Sequence, residues 1–176
     1  LIIGEIKKSS PSAGQIIKEY NPVELAKNYE KAGIGAISIL TETNYFNGKI
    51  DHLSLIKKNT RIPILRKDFI IDEYQIYESK VYQADIILLI VSVLNDDQLR
   101  YFLEIAEDLQ LDVIIETHNE EEIERATKLD YPIIGINNRN LKNLKTDVNN
   151  SANLFTSISK DFTVIAESGI KSSSDI

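Results

Sequence analysis

Five short apolar runs in this chain end in a charged or amide side chain, and this limits its possible folds more than any other feature. Ile2-Ile3-Gly4 leads into Glu5 and Lys7, and Ile62-Pro63-Ile64-Leu65 leads on to Lys67. Val113-Ile114-Ile115 stops at Glu116, Ile133-Ile134-Gly135-Ile136 at Asn137, and Val164-Ile165-Ala166 at Glu167. Short, continuously apolar runs mark parallel strands buried on both faces. A barrel of such strands carries its chemistry at their carboxyl ends, with groups drawn from several strands. The endings point to an enzyme site.

Helical patterns alternate with the runs. Asn21-Pro22-Val23-Glu24 supplies an N-cap, a proline at the first helical position and an acid in the first turn. Asp72 with Gln75, and Asn119 with Glu122, have capping-box spacing. Leu99, Phe102, Leu103 and Ala106 follow the period of a one-sided helix. The patterns predict strands near 2–7, 36–41, 62–67, 85–91, 112–117, 132–137 and 162–167. Helices are expected near 22–32, 49–58, 73–82, 95–108, 119–127 and 147–157. Strict alternation implies parallel strands joined by right-handed crossovers. An open doubly wound sheet is the alternative, but no glycine-rich dinucleotide turn follows the first strand. The expectation is a single domain over residues 1–176, an α/β barrel of the TIM type with its first seven strands present.

The net charge of −7 argues against a general nucleic-acid binder. No run approaches the length of a membrane span, and the N-terminus does not read as a signal peptide. The absence of cysteine excludes disulfides and thiolate chemistry and fits a cytoplasmic setting. Two isolated histidines, His52 and His118, make a zinc site a poor reading. His52 is expected at the surface, and His118, in a post-strand loop, ranks behind the strand endings. Lys57 and Lys58 read most simply as a solvated helix end.

At the strand ends, Glu5 and Lys7 are two apart and share a face. The alternative is a salt bridge filling the barrel interior. The Ser9-Ser10-Pro11-Ser12 loop gains interest because it follows directly. Lys67 shares a face with Leu65, while Arg66 and Asp68 point the other way. A lysine at the end of a buried strand loses hydration, which suits acid–base work, although it could also reach out to solvent. Glu116 lies on the face of Ile114 and could alternatively be a structural carboxylate. Asn137 and Arg139 share a face if their strand continues, offering an amide and a guanidinium fork to hydroxyl and anionic groups. Glu167-Ser168-Gly169 closes the last strand where backbone N–H groups can hold phosphate.

With these segments in place, the chain resembles indole-3-glycerol phosphate synthase. The resemblance is carried by Glu5-Ile6-Lys7-Lys8-Ser9-Ser10-Pro11-Ser12, Leu40-Thr41-Glu42 with Tyr45-Phe46-Asn47-Gly48, and Leu65-Arg66-Lys67-Asp68-Phe69. It continues through Ile115-Glu116-Thr117-His118, Gly135-Ile136-Asn137-Asn138-Arg139-Asn140-Leu141 and Ala166-Glu167-Ser168-Gly169. It implies a (β/α)8 barrel that closes the indole ring of 1-(2-carboxyphenylamino)-1-deoxyribulose 5-phosphate, losing carbon dioxide and water, with no cofactor or metal. By the same resemblance Lys67 is the general acid and Glu116 the acid/base group of dehydration. Lys7 pairs with the anthranilate carboxylate or takes part in proton transfer, Glu5 orients it, and Asn137 holds the sugar hydroxyls. Arg139 and Ser10 are expected near the substrate carboxylate, with Pro11, Phe46 and Phe69 around the aromatic ring. Glu167, Ser168 and Gly169 line the mouth, the last two nearest the phosphate.

Measured against that family, an N-terminal helical extension and the eighth βα unit are expected to be missing, and Asn140 stands where aspartate is usual. Fusion to, or association with, other tryptophan-pathway enzymes is a possible partnership. The alternatives are another phosphate-binding barrel, such as phosphoribosylanthranilate isomerase, and a non-catalytic fragment.

Overall fold

The computed structural model describes residues 1–11, 14–17, 19–141, 144–170 and 172. Ser12 of the serine-proline segment lies outside them. The elements are β1 (Ile3–Ile6), β2 (Ser9–Ser10), β3 (Gly14–Gln15), α1 (Pro22–Lys31), β4 (Ala36–Leu40), α2 (Asp51–Lys57) and β5 (Ile64–Lys67). They continue as α3 (Glu73–Val81), β6 (Ile86–Ile90), α4 (Asp96–Asp108), β7 (Asp112–Thr117), α5 (Glu120–Thr127), β8 (Ile133–Asn137), α6 (Asn149–Phe155) and β9 (Thr163–Glu167). Every predicted strand and helix is present. The addition is the small hairpin β2–β3, which turns the serine-proline loop back on itself by pairing Ser9 with Gln15 and Ser10 with Gly14. No helix among the described residues is long and apolar enough to cross a membrane.

The chain forms two compact units, residues 1–88 with 104–112, and residues 89–103 with 113–176. In the first, parallel strands follow the order β1-β4-β5-β6. Register aligns Glu5 with Ser38, Ser38 with Leu65, and Leu40 with Lys67. Side chains alternate across a strand, so Ile6, Ile37, Ile39 and Ile64 fall on the other face. There they are fully buried in a core shared with Ala26 of α1 and Leu53 and Ile56 of α2. Each such isoleucine contributes roughly 1.5–3 kcal/mol by leaving water. One face makes the core and frees the other for chemistry.

Local signals set the helix starts. Asn21 Oδ1 accepts the Glu24 N–H at 3.2 Å, with Pro22 at the first position of α1. The Asp72 capping box forms: its carboxylate accepts the Tyr74 N–H at 2.9 Å, and Gln75 Oε1 accepts the Asp72 N–H at 3.2 Å. Lys57 is no solvated helix end. Its Nζ lies 2.6 Å from both oxygens of Asp85, which also accepts the Ile64 N–H at 2.8 Å and so ties α2 to the strand starts.

Arg66 points away from Lys67, as alternation requires, and is 4% exposed. Its guanidinium contacts Asp68 Oδ2 at 3.0 Å and Glu78 Oε2 at 2.9 Å, and Nη1 donates to the Gln75 carbonyl at 2.8 Å. Asp68 in turn accepts the Thr41 hydroxyl at 2.6 Å and the Phe69 N–H at 2.9 Å. The strand end that presents Lys67 is thereby bolted to α3 and to the residue following β4.

In the second unit β7, β8 and β9 are parallel neighbours. Register sets Glu116 beside Gly135, Gly135 beside Ile165, and Asn137 beside Glu167. Ile115, Ile134 and Ile136 occupy the opposite face, and all three are fully buried. Arg125 of α5 grips the turn after β6, donating to the carbonyls of Val91 at 3.0 Å and Leu94 at 2.7 Å and pairing with Asp96 at 2.7 Å.

Removing one partner of a buried charge network strands the others. Arg66→Met should therefore cost about 3 kcal/mol of unfolding free energy. Urea denaturation with an unchanged slope would check this; a loss under about 0.5 kcal/mol, typical of a surface change, would refute the role of the network.

Candidate active site

In the first unit, Lys7 Nζ forms an ion pair with Glu5. Glu5 lies in register with Ser38, which pairs with Leu65, and Lys67 is two residues beyond Leu65 on the same face. Ser10 is buried in the hairpin and lines a cavity of about 350 Å³ together with Lys8, Ser9, Gln15, Tyr45 and Asn47. Pro11 is exposed, and Phe69 is half-buried just after β5.

Phe46 is held by a residue to which the sequence assigned no role. One carboxylate oxygen of Glu42 accepts the Asn44 N–H at 2.8 Å. The other takes those of Tyr45 and Phe46 at 2.6 and 3.2 Å. The Gly48 N–H closes the loop on the Glu42 carbonyl at 2.8 Å. A Cβ at Gly48 would sit 2.7 Å from the Glu42 carbonyl oxygen and overlap that of Leu40, both fixed backbone. Asn47 Nδ2 donates to Ser9 Oγ at 2.8 Å, joining this loop to the hairpin.

The second unit gathers Glu116, Asn137, Arg139, Glu167 and Ser168, and adds His118. Glu116 is 2% exposed. Its Oε1 accepts from Asn137 Nδ2 at 3.0 Å, and the Asn137 side-chain oxygen accepts the Arg139 N–H at 2.9 Å. The strand does not continue to Arg139, so the condition on which Asn137 and Arg139 would share a face is not met. β8 ends at Asn137, and Arg139 instead forms an isolated bridge with Thr146. The chain returns by Asp147, whose N–H reaches the Asn138 carbonyl at 3.0 Å.

Glu167 occupies room that Gly135 leaves open. A Cβ on Gly135 would overlap Glu167 Oε1 and lie 3.0 Å from Ile114. Ser168 and Gly169 follow with φ of 66° and 83°, a pair of left-handed residues turning the chain away from β9. Asn138 Nδ2 holds this turn through the Ser168 carbonyl at 3.1 Å.

His118 lies two residues beyond Glu116, hence on the same side of the chain. Nε2 is 3.2 Å from Glu116 Oε1, an ion-pair distance whose angle falls short of a good hydrogen bond. Nδ1 and the backbone N–H both lie 2.9 Å from Glu122 Oε2. Asn119 caps α5 as expected, accepting the Glu122 N–H at 3.0 Å, but the glutamate turns to His118 rather than to the cap backbone. Burial disfavours the charged ring, yet the polar contacts and charge of Glu116 and Glu122 outweigh it and raise the His118 pKa to about 9. His52 is half-buried against Tyr20, and burial followed by Lys49 lowers its pKa.

Parallel strands that end in acid, amide and ammonium groups define an α/β-barrel enzyme. The solved structures of an N-acetylmannosamine-6-phosphate 2-epimerase from Clostridium perfringens and a 3-hexulose-6-phosphate synthase from Salmonella typhimurium share the fold. Their TM-scores are 0.69 and 0.67, at 14% and 10% identity; they cover 99% and 96% of this chain, and it covers 79% of each. The family model of indole-3-glycerol phosphate synthase matches residues 1–176. Curated relatives of that name from Caldanaerobacter subterraneus subsp. tengcongensis and Legionella pneumophila are 53% and 50% identical over 99% of the chain, which spans 68% of their length. The chain belongs to the indole-3-glycerol phosphate synthase family, carboxy-lyases of tryptophan biosynthesis.

Gly135→Ala displaces chiefly the Glu167 carboxylate and asks Ile114 to give by a few tenths of an ångström, so stability should fall only modestly, while kcat/KM should fall by up to about 10²-fold through misplacement of Glu167. Unchanged kinetics would show that the Glu167 position is immaterial.

Because the folded pKa of His118 stands above its unfolded value, its contribution to stability is complete below about pH 6.5 and is lost as pH rises through about 9. Unfolding free energy should fall across that window, and His118→Gln should abolish this part of the slope. Urea titrations at pH 6, 7.5 and 9 would measure it, and an identical slope in the variant would refute the assignment.

Proposed function

We propose that these residues close the indole ring of 1-(2-carboxyphenylamino)-1-deoxyribulose 5-phosphate by general acid–base catalysis. The observation that carries this reading is the siting of Lys67 and Asn137 at the last residues of β5 and β8 and of Glu116 just before the end of β7. Ring closure forms a bond from the aromatic carbon to the ketone carbon and drives the carbonyl electrons onto oxygen. The Lys67 ammonium meets that developing charge and delivers a proton. The carboxylate leaves as carbon dioxide, its bonding electrons returning to the ring. Water is then eliminated, with Glu116 as the acid/base group and Asn137 holding the hydroxyl region.

Lys7, paired with Glu5, serves the anthranilate carboxylate or the proton network. Arg139 and Ser10 serve the same carboxylate, and Pro11, Phe46 and Phe69 surround the ring. Glu167 lines the mouth, while Ser168 and Gly169 turn backbone toward the phosphate. A phosphorylated substrate does not cross a membrane unaided, which accords with a cytoplasmic enzyme; the chemistry calls for no cofactor or nucleic acid. Association with other enzymes of the pathway would shorten the route of such an intermediate.

Lys67→Ala and Glu116→Gln should each lower kcat by roughly 10²–10⁴-fold, as loss of a general acid or base does, with little change in KM. The assay follows carbon dioxide release and indole fluorescence in the intact enzyme. Parental turnover with only weaker binding would make both residues ligands. No turnover by the intact parent would favour a non-catalytic protein.

A further inference from the structure

We propose that His118 is a positioning residue for Glu116: its imidazolium, locked from behind by Glu122, holds the Glu116 carboxylate ionised and oriented for proton transfer. The proposal rests on reading Glu116 as the acid/base group of dehydration.

The geometry comes first. His118 stands between two carboxylates, Glu116 3.2 Å from Nε2 and Glu122 2.9 Å from Nδ1. An ionised carboxylate can only accept, so a ring between two of them is best satisfied when both nitrogens carry protons, which is the cationic form. All three side chains are sheltered, at 2%, 10% and 12% exposure for Glu116, His118 and Glu122. At such burial an isolated Glu116 would favour its protonated form. A fixed positive charge beside it opposes that.

His118 is fixed. Its backbone N–H is held by Glu122, and its carbonyl accepts from Asn150 Nδ2 at 3.3 Å. Glu122 is itself held from α5 by Asn119, whose Nδ2 donates to Oε1 at 2.8 Å. The Asn137 amide from β8 donates to Glu116 Oε1, and the His118 ring from the start of the loop sits at ion-pair distance from the same oxygen, so the two together restrict the carboxylate's rotation.

Among the described residues, the charged groups facing the ring are Glu116 of β7, Glu122 of α5, and Lys145 and Asp147, which line with it a cavity of about 220 Å³. The two in contact are both anionic. The raised pKa of the ring agrees with this arrangement.

The first test leaves the protein unaltered. With carbon-13 in the histidine rings, NMR titration of the intact enzyme should show His118 charged well above the range in which His52 loses its proton. Glu116→Gln and Glu122→Gln should each lower that transition. A His118 ring that titrates at or below the ordinary histidine value would overturn the proposal.

The second test is kinetic. His118→Gln should lower kcat by roughly ten- to hundredfold with KM nearly unchanged, less than loss of the acid–base group itself. The acidic limb of its pH profile should move up by about a unit or more. In the Glu116→Gln background the same change should cost nothing further, since His118 acts through Glu116. A slow Glu116→Gln enzyme beside a His118→Gln enzyme of parental kcat and acidic limb would sink the positioning role alone. Parental turnover in Glu116→Gln would remove the role of Glu116, and this proposal with it.

Discussion

Everything in this molecule depends on the alternation of side chains along parallel strands held in register. Once Ile6, Ile37, Ile39 and Ile64 are committed to the core with α1 and α2, Glu5, Ser38 and Lys67 have only one face left. The same rule in the second unit sends Ile115, Ile134 and Ile136 one way and Glu116, Gly135, Asn137 and Glu167 the other. A slip of one residue in any pair would bury a charge and expose an isoleucine, so the register that stabilises the fold also aligns the reactive groups.

This is why so much could be read from the chain. Apolar runs long enough to be strands, ending in functional groups, reveal both the elements and the end at which chemistry occurs. Asn21, Asp72 and Asn119 mark helix starts through local hydrogen bonds, which depend on few distant residues. The family segments then supplied roles for residues whose spacing alone left alternatives open.

What escaped was set by partners distant in sequence or by backbone geometry. Lys57 looked solvated because its partner Asp85 lies far along the chain, just before β6. Whether β8 would continue to Arg139 was left open, and it does not: Thr146 returns beside Arg139 and the chain departs from the strand. The serine-proline loop gave no alternating pattern that would announce a hairpin. For His118 the signal was present: the acid at the third position of α5 matched a capping box, and pattern alone could not show it bonding the residue before the cap. Charge follows the same logic at both buried clusters. Arg66 and His118 each face two carboxylates, so each cation is sheltered only because it is surrounded by opposite charge.

The loop between β4 and α2 bears differently on how such a chain can vary. Surface connections usually tolerate extra residues at little cost. Here one carboxylate closes on three successive N–H groups, and the chain crosses its own carbonyls at a position that admits only glycine. An inserted residue would have to break that closure, so the length of this connection is as constrained as that of a strand. Variation among relatives in this stretch should therefore appear as substitution at the outward-facing Asn44 and Tyr45, and not as insertion or deletion.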